Sequence, residues 1–239
     1  MLNFRFFLLI SLINLIILPA FSSFAEPKKS RDKIVPQPIQ ELFQSNLVYP
    51  QEKDEIQLTL FPSFRKNQST QKTRTLFEVE YGITDALQVI FEWEGLLYKN
   101  PKSDPAIAGV GNIEVGAQYS WMGMGDGNTH FSFGNLIEFP VGPVESGLTE
   151  GFIEVQPFIV LARDFPELNQ SQIFLEFGFD WVKQARNVPE SIAPEIDNIS
   201  WNIGAFFPIK LWRATIEING NNNKLDGGSI NDIYITPGT

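Results

Sequence analysis

The side chains able to do chemistry are few. The chain holds one His and no Cys among its 239 residues. His130 shares a strand face with Ser132, and Asp126 lies a few residues upstream. A base, a nucleophile and an orienting carboxylate would make a hydrolase if a third group came within hydrogen-bond reach. Asp126 sits across a Gly-rich turn from the other two, so a bland histidine at a strand start is the stronger reading, and the chain is read as no enzyme. Without Cys there is no disulfide scaffold, thiolate metal site, Cys nucleophile or lipid-anchored N-terminal Cys. One His excludes a His-rich metal cluster. Met122–Asn128 lacks the spacing of a calcium loop and reads as a turn. Gly109-Val110-Gly111 lacks the third Gly of a dinucleotide fingerprint and precedes a strand rather than a helix. Neither cofactor nor metal is called for. Asn67-Gln68-Ser69, Asn169-Gln170-Ser171 and Asn198-Ile199-Ser200 have the form of glycosylation sequons, which arise often by chance in Asn- and Ser-rich loops.

Acids form the informative constellation. Glu78, Glu80, Glu92, Glu94, Glu114, Glu138, Glu154, Glu176, Asp180 and Glu217 all fall on the polar side of alternating segments. Lys and Arg avoid the middles of those segments and sit at their ends, as Arg74, Lys99, Arg163, Lys183, Lys210 and Arg213 do. One reading is a negative lumen that favours cations or neutral solutes. The other is that several of these acids are solvated at a mouth or paired with loop cations. With 18 basic against 28 acidic residues and a pI near 4.6, the chain lacks the basic face of a nucleic-acid binder.

The segments that carry these acids have period two. Phe77, Val79, Tyr81 and Ile83 alternate with Glu78, Glu80 and Gly82. Leu87 to Glu94, Ile113 to Trp121, Phe131 to Phe139, Ile153 to Leu161, Ile173 to Trp181, Trp201 to Phe207 and Ala214 to Asn219 repeat the device. Glu55–Phe64 and Ser229–Pro237 complete ten expected strands, each with one apolar and one polar face. The composition, with 21 Phe, 5 Trp and 18 Gly, suits strands better than helices.

Ahead of the strands lie two other segments. Met1–Ala25 has a weakly positive start, an apolar run over Phe6–Phe21 and small residues at Ser23 and Ala25, the pattern of a cleaved signal peptide. Its apolar run is short of the ~20 residues a spanning helix needs. Removing it takes away Arg5, so the mature chain has 17 basic and 28 acidic residues, net −11. Residues 26–54 are polar and Pro-rich, with Lys28, Lys29, Arg31 and Lys33 at their start. They read either as an exposed linker or as a segment docked inside something acidic.

One-sided strands build either a soluble sandwich with the apolar face inward or an outer-membrane barrel with it outward. Strands near the ~9–11 residues of a tilted span favour the barrel, as does a polar face rich in Gly. Loop lengths favour it too. Long connections are expected at Arg65–Thr73, Lys99–Asn112, Pro140–Gly151, Lys183–Ile199 and Gly220–Gly228. Short ones are expected at Thr84-Asp85, Met122–Asn128, Ala162–Ser171 and Pro208–Leu211.

Gly109-Val110-Gly111-Asn112-Ile113-Glu114-Val115-Gly116-Ala117-Gln118-Tyr119 resembles the signature of the "MetA-pathway of phenol degradation" family of bacterial outer-membrane barrels, often called transporters. Tyr81-Gly82-Ile83-Thr84-Asp85 before Glu92, Glu138-Phe139-Pro140-Val141-Gly142 and Tyr234-Ile235-Thr236-Pro237-Gly238 are similar to further pieces of that family. The likeness runs from Leu76 to Gly238 and implies a lumen for hydrophobic or aromatic solutes. Asn112 stands where the family usually has Asp, and Gln118 where it has Lys or Arg. A family member would continue past Thr-Pro-Gly for about two strands and end on an aromatic residue. A truncated chain is therefore expected, although ten strands could close.

The expected protein is an all-β, antiparallel, up-and-down transmembrane barrel over residues 55–239, with ten visible strands and ten to twelve in the complete barrel. It is expected in the outer membrane of a Gram-negative bacterium, as a narrow passive channel or substrate-entry transporter for small solutes. Its expected partners are outer-membrane lipid, the barrel-insertion machinery and a small-molecule solute, with no nucleic acid. Nothing in the sequence sets an oligomeric state. The alternative is a secreted soluble β-sandwich or lipid-binding barrel acting as a binding module.

Overall fold

A computed structural model describes residues 46, 48–66, 70–101, 105–149, 151–184, 198–209, 212–225 and 228–238. The expected signal peptide and the basic run Lys28–Lys33 lie outside the described residues. The strands are β1 (Ile56–Lys66), β2 (Thr70–Gly82), β3 (Leu87–Pro101), β4 (Ile107–Gly109), β5 (Ile113–Met124) and β6 (Thr129–Phe139), then β7 (Phe152–Phe165), β8 (Ser171–Gln184), β9 (Asn198–Ile209), β10 (Trp212–Leu225) and β11 (Gly228–Gly238). The one helical element among the described residues is a 3₁₀ turn at Pro166–Leu168. Each long strand pairs antiparallel with its sequence neighbour, and three-residue β4 hangs on β3. The result is one curled half-barrel of antiparallel strands. No ladder among the described residues joins β11 back to β1.

Each of the ten expected strands has its counterpart, but two expected long loops do not exist as such. Arg65 pairs with Lys72 and Phe64 with Thr73, so strand pairing runs through most of 65–73. Likewise Gly220, Asn221, Asn222 and Asn223 pair with Ile233, Asp232, Asn231 and Ile230. Ladder bonds join backbone to backbone, so a polar stretch can extend a hairpin that has lost its apolar alternation. The long connections that remain are 102–112, which carries β4, 140–151 and 185–197. In the turn before β6, Gly123, Gly125 and Gly127 all have φ between +62° and +88°, a region side chains rarely enter.

The two faces are inverted relative to a water-soluble sheet. Phe91, Ile159, Phe177, Ile203 and Ile216 point outward and are exposed. On the concave face Gln118, Ser132, Gln172 and Glu217 are at most 2% exposed. That face is not wholly polar. Ile90, Leu136, Phe158, Val160, Ala162 and Phe174 form a buried apolar cluster on it, built around Val48 from ahead of β1.

Candidate functional site

Antiparallel register sets the acids in a row. Glu78 faces Glu92, Glu92 faces Glu114, Glu114 faces Glu138 and Glu138 faces Glu154, across β2, β3, β5, β6 and β7. Directly opposite side chains stand about 4.5–5.5 Å apart at Cβ, where like charges destabilise the sheet. Glu80, Glu176 and Glu217 are buried, and none of the ten acids singled out from the sequence is fully exposed.

Neutral donors and the Arg74 guanidinium meet several of these carboxylates. Arg74 Nε lies 2.6 Å from Glu94 Oε1. The backbone N–H of Asn112 donates to Glu94, and its side-chain Nδ2 donates to Glu138. The Thr149 hydroxyl donates to Asn112 Oδ1, so Asn112 is oriented with its NH₂ toward the acid. An Asp there would set two carboxylates against each other, which gives the Asn a physical reason. Gly111 allows this approach, since a Cβ on it would lie 2.1 Å from Glu94 Oε2. Thr149 comes from the connection 140–151, which also buries Val144 and Leu148.

At the short-turn end, Asn46 and residues 48–52 run along the concave face. This part of the Pro-rich segment is docked and not an exposed linker. Asn46 donates to Glu176 from its backbone N–H at 3.2 Å and from Nδ2 at 2.7 Å. Val48 is fully buried. Gln51 donates from its backbone N–H to Gln88 Oε1 at 2.7 Å and from Nε2 to Glu80 at 2.8 Å. Tyr49 donates its hydroxyl to Asp164 and accepts from Gln172 Nε2 at 3.0 Å. Burial, and then the bond to Asp164, raises the Tyr49 phenol above its usual range, so it stays a protonated donor.

His130 belongs to the same cluster. The Gly123 N–H donates to its Nδ1 at 3.0 Å, and its Nε2 lies 2.9 Å from Asp164 Oδ2. An accepting Nδ1 leaves the proton on Nε2, which donates to Asp164. Both ring nitrogens are thus engaged, and neither is free to take a proton from Ser132. Ser132 Oγ is itself buried without a hydrogen-bond partner. Asp126 pairs instead with Arg163 at 2.6 Å. The Asn128 backbone N–H and then Arg163 hold its carboxyl below the usual range.

Asp164, Tyr49, Gln51, Gln88 and Gln172 were not singled out from the sequence. The available signal was weak: Val48-Tyr49 is one of several short apolar runs in residues 26–54, beside Ile34-Val35 and Leu42-Phe43. No protein-family model matches the chain, and no curated protein matches it.

Proposed function

We propose that the chain is an outer-membrane β-barrel protein that acts as a narrow passive channel or substrate-entry transporter for small solutes. The inverted faces carry this reading. Each exposed Leu- or Phe-sized side chain forgoes about 1.5–3 kcal/mol in water relative to an apolar surrounding. A continuous outer band of such residues on consecutive strands is matched by lipid. On the inner face, carboxylates and carboxamides form the surface a polar solute would meet. The resemblance of the Gly109–Tyr119 stretch to outer-membrane transporter barrels supports the same class. The apolar cluster around Val48 and the docked residues Asn46 and 48–52 narrow the interior, in keeping with a small, filled barrel rather than a wide porin.

The test is fractionation of cells expressing the full chain, with gel mobility compared before and after boiling. Recovery with outer membranes and a heat-dependent shift are expected. Recovery in the soluble periplasm overturns the reading and leaves a secreted binding module in its place.

A further inference from the structure

A cavity of about 240 Å³ lies on the concave face beside β7, β8, β9 and β10, with Asn46 of the docked segment in its wall. This is the room of roughly eight waters and is smaller than the ~300–1,000 Å³ of drug-sized sites. Its lining is mixed. Asn46, Gln156, Asn202 and Asn221 present carboxamides, Ser200 a hydroxyl, and Glu176 and Asp180 carboxylates. Leu136, Pro157 and Phe158 also border it but contribute little of the surface that faces the cavity.

Two glycines shape this lining. A Cβ on Gly134 would lie 2.2 Å from the Phe158 ring, so only a glycine on β6 lets that ring lie where it does. A Cβ on Gly178 would lie 2.5 Å from Ser200 Oγ, so Gly178 leaves that hydroxyl its place. The acids are held by neutral donors. Glu176 accepts from Asn46 and from Asn202 Nδ2 at 2.7 Å, and Asp180 accepts from Asn198 Nδ2 at 3.1 Å.

The geometry points to a binding site for a small neutral polyhydroxylated solute of hexose or cyclitol size. A hydroxyl donates and accepts at once, and it meets a lining that mixes carboxamide donors with carboxylate and amide acceptors. An aromatic hydrocarbon would displace water from Ser200 and from the remaining amide and carboxylate lone pairs without replacing its hydrogen bonds, which costs affinity. An anion would face Glu176 and Asp180. The inference names a solute class for the proposed channel and rests on that reading for the route by which the solute arrives.

The experiment is isothermal titration of the purified full chain in detergent with D-glucose, myo-inositol, putrescine and benzoate. Saturable binding of glucose or inositol is expected, tighter than any binding of putrescine and without binding of benzoate. Ser200→Ala and Gly178→Ala should each weaken it about ten-fold, with heat-dependent gel mobility serving as the folding check. Absence of polyol binding, binding of benzoate or putrescine in its place, or polyol binding untouched by both substitutions overturns the site. Binding is read in detergent, so a protein that fractionates with outer membranes but fails to bind overturns this site alone. A soluble protein that binds polyol overturns the channel alone.

Discussion

Replacing Tyr49 with Phe tests whether Asn46 and residues 48–52 are held in place by the Asp164 cluster. Burial of Val48 and of the Tyr49 ring contributes about 1.5–3 kcal/mol each. Bonds from Asn46, Tyr49 and Gln51 contribute about 1 kcal/mol where neutral and about 1.5–3 onto carboxylates. Ordering the backbone costs about 1–2 kcal/mol per residue. The substitution deletes the hydroxyl that donates to Asp164 and accepts from Gln172, while Asp164 keeps His130 and Gln172. A loss of about 1.5–3 kcal/mol follows, which is about ten- to a hundred-fold in the docked-to-released ratio. Amide hydrogen exchange in detergent reads this directly. Protection at residues 48–52 should fall by that factor while the strands keep theirs. In a planar bilayer the released segment should raise conductance. Unchanged protection in Tyr49→Phe would refute the latch, and lost protection with unchanged conductance would show that the segment does not obstruct the path.

Three further outcomes follow from the same geometry. Phe91→Arg places a charge on the outer face and should cost about 2–4 kcal/mol at the bilayer midplane, read as a lower urea midpoint in vesicles; no loss would remove Phe91 from the lipid face. The channel should prefer cations in reversal-potential measurements across a salt gradient, and Glu92→Gln with Glu114→Gln should weaken the preference; anion selectivity would contradict the acidic row. Asp126 has a depressed carboxyl pKa in the folded chain, so its contribution is present above the ordinary value near 4 and fades as pH falls through the lowered one. Melting curves of the wild type and Asp126→Asn should therefore converge only below about pH 4; curves that differ equally at every pH would deny the pair with Arg163 its role.

Strand positions were legible because alternation is a local signal. A period-two run such as Phe77–Ile83 announces its two faces without knowledge of its partners. The length of the outer hairpins was not legible, because Asn221, Asn222 and Asn223 carry no alternation and are held by backbone ladder bonds to β11. Nor is the closing of the sheet encoded within any one segment. It depends on whether β1 and β11 meet, and pairing between strands so far apart in sequence is announced by neither strand's own alternation.

The site divides along the same line between local and distant signals. That the acids share one face follows from alternation. That Glu78, Glu92, Glu114, Glu138 and Glu154 stand in one row depends on register, and register is a property of pairs of strands. The docked segment was harder still to read. Tyr49 and Asp164 are 115 positions apart, and Asn46 and Glu176 are 130 apart. No spacing rule connects such residues. Their contact depends on an apolar patch inside a polar interior, where Phe158, Val160 and Phe174 receive Val48. A polar concave face alone would give a Pro-broken segment little reason to order. The apolar patch supplies that reason, and the carboxylates beside it fix the segment's register through Asn46, Tyr49 and Gln51.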